Sequence, residues 1–423
     1  MRTRHHIHYA WIILAVTFIG ILAAQGVRYT YGAFMEPWET TFSTNRATTS
    51  AISFISFIVF AIFQPIVGKM IDQYGIKRVF YMSTLIIGFS VLLSFFATEL
   101  WQMFILYGIV ASIGFGGASG VTATVAVTTW FRKKRGLALG INEAGFGAGQ
   151  MIIVPSSLLL IDAVGWRWTV CIIGLFLICI VSPLLAWLLK SDPFKAGMEP
   201  FGYEKNQEEK QEEKPVVQAK SKADCRFWFL LIPFAICGFT TTGLMDTHLI
   251  PFAQACGFSA PVTSAAVSTL AAFNVIGTLV SGILADRFNN KNILVVLYFT
   301  RAITVAFLVF AASGSGLVLF IEYPILLFIF AISFGLVDFA TVAPTVKLLS
   351  EYFEGQSVGL LSGWLFMSHQ LGSALGSYIP GILFDQTGNY QQSFIMAVVL
   401  LVIAGVLSAR LPQVTAKRDY QKI

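Results

Sequence analysis

Residues 68–78 read GKMIDQYGIKR, and they follow directly on a long apolar run. A second stretch, residues 282–292, reads GILADRFNNKN and also follows an apolar run. Gly68 and Asp72 of the first stretch correspond to Gly282 and Asp286 of the second. A glycine and an aspartate at the same spacing, in two places far apart in the chain, indicate an internal repeat.

A later set of residues supports the same repeat. Four glycines and one aspartate of the first half each recur in the second half, all separated by the same number of residues. The matching pairs are Gly136 and Gly359, Gly140 and Gly363, Gly149 and Gly372, Asp162 and Asp385, and Gly165 and Gly388. The agreement of an aspartate as well as glycines argues against coincidence, so we expect two halves with similar structures.

The composition excludes several classes of protein. Of 423 residues, 56% are hydrophobic and only 12% are charged. Soluble globular proteins carry roughly 25% charged residues. The chain therefore cannot coat a water-soluble surface of this size, which excludes a soluble enzyme, a disordered protein and a fibrous repeat.

Apolar runs recur from one end of the chain to the other, and a membrane-spanning helix needs about 20 apolar residues. The runs predict an all-α membrane protein with twelve spanning helices. Their expected limits are 9–34, 48–68, 79–97, 101–130, 137–161, 168–189, 227–253, 263–285, 292–313, 324–346, 357–383 and 391–410.

The formal net charge of +6 reflects topology rather than nucleic-acid binding. If the N-terminus is placed in the cytoplasm, 24 of the 28 Lys and Arg residues fall on the inner side. Only Arg46 and Arg167 fall in outer loops, and Arg28 and Arg301 lie inside spans. Such an asymmetry is the positive-inside signal, and it predicts that both termini are cytoplasmic.

One long polar stretch, residues 190–226, divides the chain. It contains a run of mixed charge at 204–214, which is typical of a solvated linker. We therefore expect two pseudo-symmetric six-helix bundles: residues 1–189, the cytoplasmic linker 190–226, and residues 227–423 with a short cytoplasmic tail.

The duplicated loop resembles the signature of the major facilitator superfamily, whose members have two six-helix bundles. The resemblance implies that the loop forms a cytoplasmic gate, with its glycines allowing close helix approach and its aspartates pairing with bases. The gate residues carried over in this way are Gly68, Asp72, Gly75, Lys77, Arg78, Gly282, Asp286 and Arg287.

Further stretches resemble one branch of that superfamily, the monocarboxylate transporters and oxalate/formate antiporters. Residues 130–140 read WFRKKRGLALG and lead into EAGFGAG at 143–149, which looks like the fifth-helix signature of this branch. RYTYGAF at 28–34 and IPGILFDQTGNY at 379–390 resemble its bacterial members. The resemblance implies a transporter of small organic anions rather than an enzyme.

Ionisable residues at membrane depth are costly, so each one is a functional candidate. Arg28 offers a planar, permanently charged fork that fits a carboxylate. Tyr31 and Asn274 are further candidates for hydrogen bonds to the substrate. The candidates for proton coupling or gating are Asp246, His248, Asp338, Glu143 and His369. Each has a structural alternative, such as a counter-ion to Arg28 or a polar packing contact.

These residues favour proton-coupled symport of a monocarboxylate such as lactate or pyruvate, because an anion that enters with one proton is neutral overall. Exchange of organic anions of the oxalate/formate type is one alternative, and a membrane sensor that does not transport is another. We expect a monomer in the bacterial cytoplasmic membrane, with contacts to the lipid bilayer. We expect no cofactor, no metal site and no nucleic-acid partner.

Overall fold

The structure of the chain, a computed structural model, describes residues 8–203, 225–311, 313–353 and 358–412. These residues form helices that run back and forth between two ends. In chain order the twelve long helices are α1 Tyr9–Phe42, α2 Arg46–Tyr74, α3 Ile76–Phe96, α4 Leu100–Trp130, α5 135–164, α6 166–188, α7 Cys225–Ala255, α8 Ala260–Arg287, α9 Asn290–Ala311, α10 325–352, α11 Val358–Thr387 and α12 Gln391–Ala409. A shorter helix, Gly314–Glu322, lies between α9 and α10.

Most of these helices are suited to cross a membrane. Within the described residues, nine helical segments are long and apolar enough to do so. One of them, Leu137–Leu188, contains 52 residues and folds back at Gly165, where the backbone has a φ of 78°. It therefore supplies both α5 and α6, and together with α10 and α11 the total is twelve. The all-α class and the twelve expected spans are confirmed.

Each half has its own hydrophobic core, and a third, smaller cluster contains residues of both halves, such as Leu158 and Ile250. One core is built from buried residues between Ala10 and Leu189, and the other from residues between Phe227 and Leu411. We call the helices α1–α6 the N-terminal half and α7–α12 the C-terminal half.

Glycines allow helices within each half to approach closely. A Cβ atom on Gly149 of α5 would lie 3.0 Å from the Cα of Gly26 in α1. In lipid, close packing of small residues replaces the hydrophobic effect as the force that joins helices. The repeat glycine Gly149 is therefore a packing residue.

The two halves meet at one end and separate at the other. We call the end where α2 begins the Arg46 end, and the end with Lys69, Arg132 and Arg287 the basic end. At the Arg46 end, Phe54 of α2 and Tyr378 of α11 have ring centroids 5.5 Å apart. Farther along, the Ser268 hydroxyl of α8 donates to the Met151 carbonyl of α5 at 3.2 Å.

Toward the basic end, α2, α5, α8 and α11 have open space beside their glycines. Within the described part of the chain, a Cβ atom on any of four repeat glycines would meet no atom within 4 Å. These glycines are Gly68, Gly140, Gly282 and Gly363. We therefore interpret the conformation as closed at the Arg46 end and open at the basic end.

Two of the twelve helices, α10 and α4, are interrupted. The expected span 324–346 is instead split into Ile325–Gly335 and Val342–Tyr352. In α4, Ser112–Gly117 and Gly120–Trp130 are separated by a short non-helical stretch. Breaks of this kind occur at membrane depth only where buried partners satisfy the freed backbone groups.

Side chains from neighbouring helices satisfy both breaks. Gln25 of α1 donates to the Ala118 carbonyl of α4 at 2.7 Å. Arg301 of α9 donates to the carbonyls of Val337 and Asp338 in α10. The guanidinium of Arg301 therefore stabilises the break, which is a structural role.

The first part of the expected linker is packed rather than solvated. Phe201 pairs with Phe131 through a parallel β-bridge, and its ring lies 5.8 Å from that of Trp11. The charged run at 204–214 lies outside the described residues.

We expect Gly149→Ala to lower the melting temperature of the purified protein and Gly140→Ala to leave it equal or higher. Overpacking a tight contact costs about 1–3 kcal/mol, whereas alanine gains helix propensity where space is open. Thermal unfolding of both variants in the same detergent checks this. Equal melting temperatures would contradict the packing role of Gly149.

Candidate functional site

A cavity lies between the two halves, near the middle of the molecule. Helices α1, α2 and α4 line it from the N-terminal half and α7 from the C-terminal half. Its lining residues are Arg28, Tyr29, Tyr31, Ser53, Ser56, Phe57, Tyr107, Thr242, Asp246 and Thr247. The lining contains one arginine and one carboxylate, so its formal charges balance.

Arg28 is held in place by aromatic rings and by a neighbouring amide. Its guanidinium carbon lies 4.4 Å from the ring centroid of Phe60 and 4.9 Å from that of Phe57. Nη1 donates to the Gln25 side chain at 3.3 Å. Nη2 is buried and has no hydrogen-bond partner among the described residues. One donor edge of the guanidinium is thus unused.

Asp246 presents a matching unused oxygen. Its Oδ1 accepts a hydrogen bond from Gln150 Nε2 of α5 at 2.8 Å, so this bond joins the two halves. Its Oδ2 is buried and has no partner among the described residues. Just before Asp246, α7 widens into π-helical turns over Phe239–Met245, a feature frequent at functional sites.

Arg28 and Asp246 face one cavity but form no ion pair within 4.0 Å in the described part of the chain. A buried charged group without a partner is costly, so unpaired buried polar atoms require an explanation. A ligand that contacts both residues supplies one. The arrangement can bind a small molecule that offers an acceptor to Arg28 and a donor or a proton to Asp246.

Tyr31 and Asn274 differ in their placement. Tyr31 lines the cavity, but its hydroxyl already donates to the Thr49 carbonyl. Asn274 is absent from the lining, and its Nδ2 donates to Asp338 Oδ2 at 3.0 Å. Asn274 and Asp338 therefore belong to a separate polar cluster inside the C-terminal half.

The separate cluster contains other residues that the sequence singled out. Arg301 lies near the break of α10, and its Nη1 is 3.2 Å from Cys237 Sγ. The rings of His369 and Phe234 pack at a tilt, with their centroids 4.9 Å apart. Asp338 and His369 are both buried and lie outside the cavity lining, and both interact electrostatically with Asp246.

His248 lies toward the Arg46 end instead of in the cavity. Its Nε2 is 2.7 Å from the Ser377 carbonyl oxygen and its Nδ1 is 3.1 Å from the Tyr390 hydroxyl. Tyr390 accepts a hydrogen bond from Arg46 Nη1 at 2.6 Å. We call Glu39, Arg46, His248, Asp385 and Tyr390 the Arg46 cluster.

The Arg46 cluster joins the halves where they are closed. Arg46 forms an ion pair with Glu39 of its own half, with Nε–Oε1 and Nη2–Oε2 distances of 2.5 and 2.8 Å. Asp385 of the C-terminal half accepts from the backbone N–H groups of Arg46 and Ala47 at 3.0 and 2.7 Å. A carboxylate at a helix N-terminus is stabilised by the helix dipole.

Gln150 and Arg46 do not stand out in the amino-acid sequence as functional residues. Gln150 is uncharged, and the position of Arg46 predicts only an outer loop. The internal repeat does draw attention to one residue of the Arg46 cluster, because Asp385 is the repeat counterpart of Asp162. Among the described residues, Asp385 binds a helix end of the other half, and no such contact is found for Asp162.

The expected gate motif does not close the basic end in this conformation. Asp72, Arg78 and Arg287 are exposed, and Asp72 forms no ion pair with any described residue. Asp286 pairs with Lys347 of its own half at 2.8 Å. The expected close approach at Gly68 is therefore absent here.

Two further motif residues shape the turn between α2 and α3. Gly75 has a φ of 82°, a left-handed conformation that favours glycine. The Lys77 backbone N–H donates to the Ser191 hydroxyl at 3.1 Å. This turn is therefore fixed to the chain that follows α6.

Glu143 is exposed, and its Oε1 would lie 3.8 Å from a Cβ atom on Gly120 of α4. Among the described residues, no group of three or more His, Cys, Asp and Glu side chains is placed to hold a metal ion.

The fold and the central cavity define a membrane transporter built from two halves. The Major Facilitator Superfamily model matches residues 17–346 and 301–422. The chain therefore belongs to the major facilitator superfamily.

The relatives are other transporters of this superfamily. The chain is 25% identical over 409 residues to an uncharacterized MFS-type transporter, YcxA, of Bacillus subtilis, covering 94% of each chain. It is 22% identical to monocarboxylate transporter 12 of Rattus norvegicus, covering 94% of this chain and 84% of the relative. The resemblance to the monocarboxylate branch is thus supported by sequence.

Solved structures share the fold. A bacterial homolog of the human lysosomal transporter Spinster, in an inward-facing and unoccupied conformation, matches with a TM-score of 0.70 and 16% identity over 95% of this chain and 96% of that one. A D-xylose–proton symporter matches with a TM-score of 0.72 and 15% identity over 95% and 98%.

We expect the Arg46 end to open severalfold more often in Asp385→Asn than in the wild type. The substitution removes the negative charge of the side chain that accepts hydrogen bonds from two backbone N–H groups of the other half. Spin labels at the exposed Thr40 and Gln386 of a cysteine-free background report the distance between the halves. Asp162→Asn is the matched control, since this repeat counterpart is exposed. Equal distance distributions for the two variants would contradict the role of Asp385.

Proposed function

We propose that this chain is a proton-coupled symporter of small monocarboxylates such as lactate or pyruvate. One observation carries the proposal: Arg28 Nη2 and Asp246 Oδ2 are buried in one cavity, and neither has a hydrogen-bond partner among the described residues. Arg28 binds the carboxylate and Asp246 binds the proton.

The geometry of Arg28 suits a carboxylate. The guanidinium is planar, permanently charged, and able to donate two parallel hydrogen bonds. Phe57 and Phe60 pack near it, so its orientation is restricted before a ligand arrives. A preorganised donor loses little entropy on binding.

Asp246 is the preferred proton carrier among the candidates. Asp246 lines the cavity, whereas Asp338, His248 and His369 do not. When an anionic substrate neutralises Arg28, the negative charge of Asp246 is left without a counter-charge. A proton on Asp246 Oδ2 removes that negative charge. The anion and proton together carry no net charge, so the membrane potential does not oppose their entry.

The hydrogen bond between Gln150 and Asp246 connects binding to movement. It crosses between the halves at the site itself. Alternating access in this fold type is a rocking of the two halves around a central site. In the opposite state the Arg46 cluster would separate and the gate motif around Asp72 would close the basic end.

The orientation in the membrane follows from charge. We place the basic end and both termini in the cytoplasm of a bacterial cell, with the chain as a multi-pass monomer in the cytoplasmic membrane. In that orientation the described conformation opens inward.

We expect Arg28→Gln to weaken the apparent affinity for lactate or pyruvate on the order of 100-fold, because it removes a charged partner of the carboxylate. Arg28→Lys keeps the charge but not the fork, so it recovers only part of the affinity. The measurement is uptake of labelled lactate and pyruvate into proteoliposomes with and without a pH gradient.

Arg410→Gln, a substitution of an exposed arginine far from the cavity, is the control. Full uptake of every carboxylate by Arg28→Gln would contradict the site assignment. If uptake by the wild type does not depend on the pH gradient but requires exchange for a second anion, the antiport alternative is favoured.

A further inference from the structure

We infer that His248 is a second proton site, and that a proton on its ring loosens the Arg46 cluster and so opens the Arg46 end. The inference rests on the proposed function for one point, that the Arg46 end faces the outside of the cell. It deepens that function, because acid on the outer side then causes the transporter to open toward that side.

The hydrogen bonds of the His248 ring define which nitrogen carries a hydrogen. Nε2 lies 2.7 Å from the carbonyl oxygen of Ser377, which can only accept, so Nε2 is the donor. Nδ1 lies 3.1 Å from the hydroxyl of Tyr390. In a neutral imidazole one nitrogen donates and the other accepts, so Nδ1 accepts a hydrogen bond from this hydroxyl.

Tyr390 links the His248 ring to the other half of the molecule. Arg46 Nη1 can only donate, so the hydroxyl oxygen of Tyr390 accepts from it at 2.6 Å. The hydroxyl hydrogen then remains for His248. The three hydrogen bonds run in one direction, from Arg46 to Tyr390, then to His248 and finally to Ser377. Arg46 belongs to the N-terminal half and the other three residues to the C-terminal half, so this chain of bonds joins the halves.

A second proton on His248 is incompatible with this chain of bonds. In the charged ring both nitrogens donate, so the new N–H group at Nδ1 points at the hydroxyl hydrogen of Tyr390. His248 is only 1% exposed, which leaves no room for solvent to accept the displaced hydrogen bond. Arg46 also acts electrostatically on the ring, and a positive charge nearby disfavours a second one.

The carboxylates around the ring do not offset this cost. Glu39 of α1 is occupied by its ion pair with Arg46. Asp385 of α11 is exposed and accepts from two backbone N–H groups at the start of α2. Helix α8, which also packs beside α7, has no ionisable residue over 260–285. The closed Arg46 cluster therefore holds His248 in its neutral form.

Opening of the Arg46 end removes these restrictions. The ring then meets water, in which an imidazole takes up a proton at about pH 6.5. A proton that binds only the open form shifts the equilibrium toward that form. For one such site, the ratio of open to closed molecules rises about tenfold between pH 7.5 and pH 5.5.

His248 and Asp246 thus have different roles. The proton on Asp246 accompanies the substrate through the molecule. The proton on His248 returns to the side from which it came when the Arg46 end closes again. His248 is therefore a positioning residue that acts through Tyr390 and Arg46, and it does not change the number of protons carried with each substrate.

The test measures the opening of the Arg46 end without any substrate. Spin labels at Thr40 and Gln386 of the cysteine-free protein report the distance between the halves at pH 7.5 and at pH 5.5. We expect the ratio of open to closed molecules to rise about tenfold at the lower pH. The same rise is expected in Asp246→Asn, because the two proton sites are separate.

His248→Gln tests the site itself. Glutamine keeps a donor for the Ser377 carbonyl but takes up no proton, so we expect the same ratio at both pH values. His8→Asn is the matched control at the basic end. The His8 side chain accepts from the Ala10 N–H group at the start of α1, a capping role that asparagine also fills. We expect His8→Asn to keep the full response to acid.

Tyr390→Phe provides a second test if His248→Gln does not fold. It removes the hydroxyl that joins Arg46 to His248, while both charged and neutral forms of the ring remain possible. We expect the ratio of open to closed molecules in this variant at pH 7.5 to approach the wild-type value at pH 5.5. A ratio equal to that of the wild type at both pH values would overturn the inference.

The remaining outcomes separate this inference from the function on which it rests. An acid response that persists in His248→Gln assigns the effect to Glu39 or Asp385 and overturns the inference. A response that is lost in Asp246→Asn assigns it to the cavity and overturns the inference as well, as does a wild type that does not respond. If the response follows His248 but proteoliposomes take up no monocarboxylate, the proposed substrate is wrong and the His248 site stands.

Discussion

Arg28 and Asp246 bring opposite charges into one buried cavity, and each retains one polar atom without a hydrogen-bond partner among the described residues. Water is a far better solvent for charge than a protein interior, so this arrangement is costly in the absence of a ligand. Direct contact between the two residues would remove part of that cost, but they form no ion pair in this conformation. We regard the separation as the constraint around which the transporter is organised.

The surrounding packing keeps the two charges apart. Phe57 and Phe60 flank the guanidinium of Arg28, and Gln150 holds one oxygen of Asp246 from the opposite half. Tight glycine contacts such as that between Gly149 and Gly26 place α1 firmly against α5. The Arg46 cluster joins the halves at one end. Because Gln150 and Asp246 lie in opposite halves, movement of one half relative to the other alters the hydrogen bond between them.

The amino-acid sequence is sufficient to predict the helices, and it also singles out two charged residues, Arg28 and Asp246, that the structure places at one cavity. Apolar length indicates a membrane span, and the cost of burying charge makes Arg28 and Asp246 candidates on the sequence alone. Position along a helix does not, however, fix the direction in which a side chain points. Asn274 is predicted to bind substrate and Asp338 to couple or gate protons, and in the structure the two contact each other outside the cavity lining.

Tertiary contacts explain the features that the sequence does not predict. The break in α10 lies within an apolar stretch, and Arg301 of another helix stabilises it. Gln150 carries no charge and so gives no signal, although it donates directly to Asp246. Asp162 and Asp385 have equivalent repeat positions, but the pairing of Asp385 with the start of α2 depends on how the two halves meet.

The most direct test is the number of protons taken up when the purified protein binds lactate, measured by calorimetry in buffers of different ionisation enthalpy. The account predicts that the wild type takes up a proton on binding, at a pH where Asp246 is ionised without ligand, and that Asp246→Asn takes up none. Proton uptake that persists in Asp246→Asn, or lactate binding without proton uptake at any pH, would contradict it.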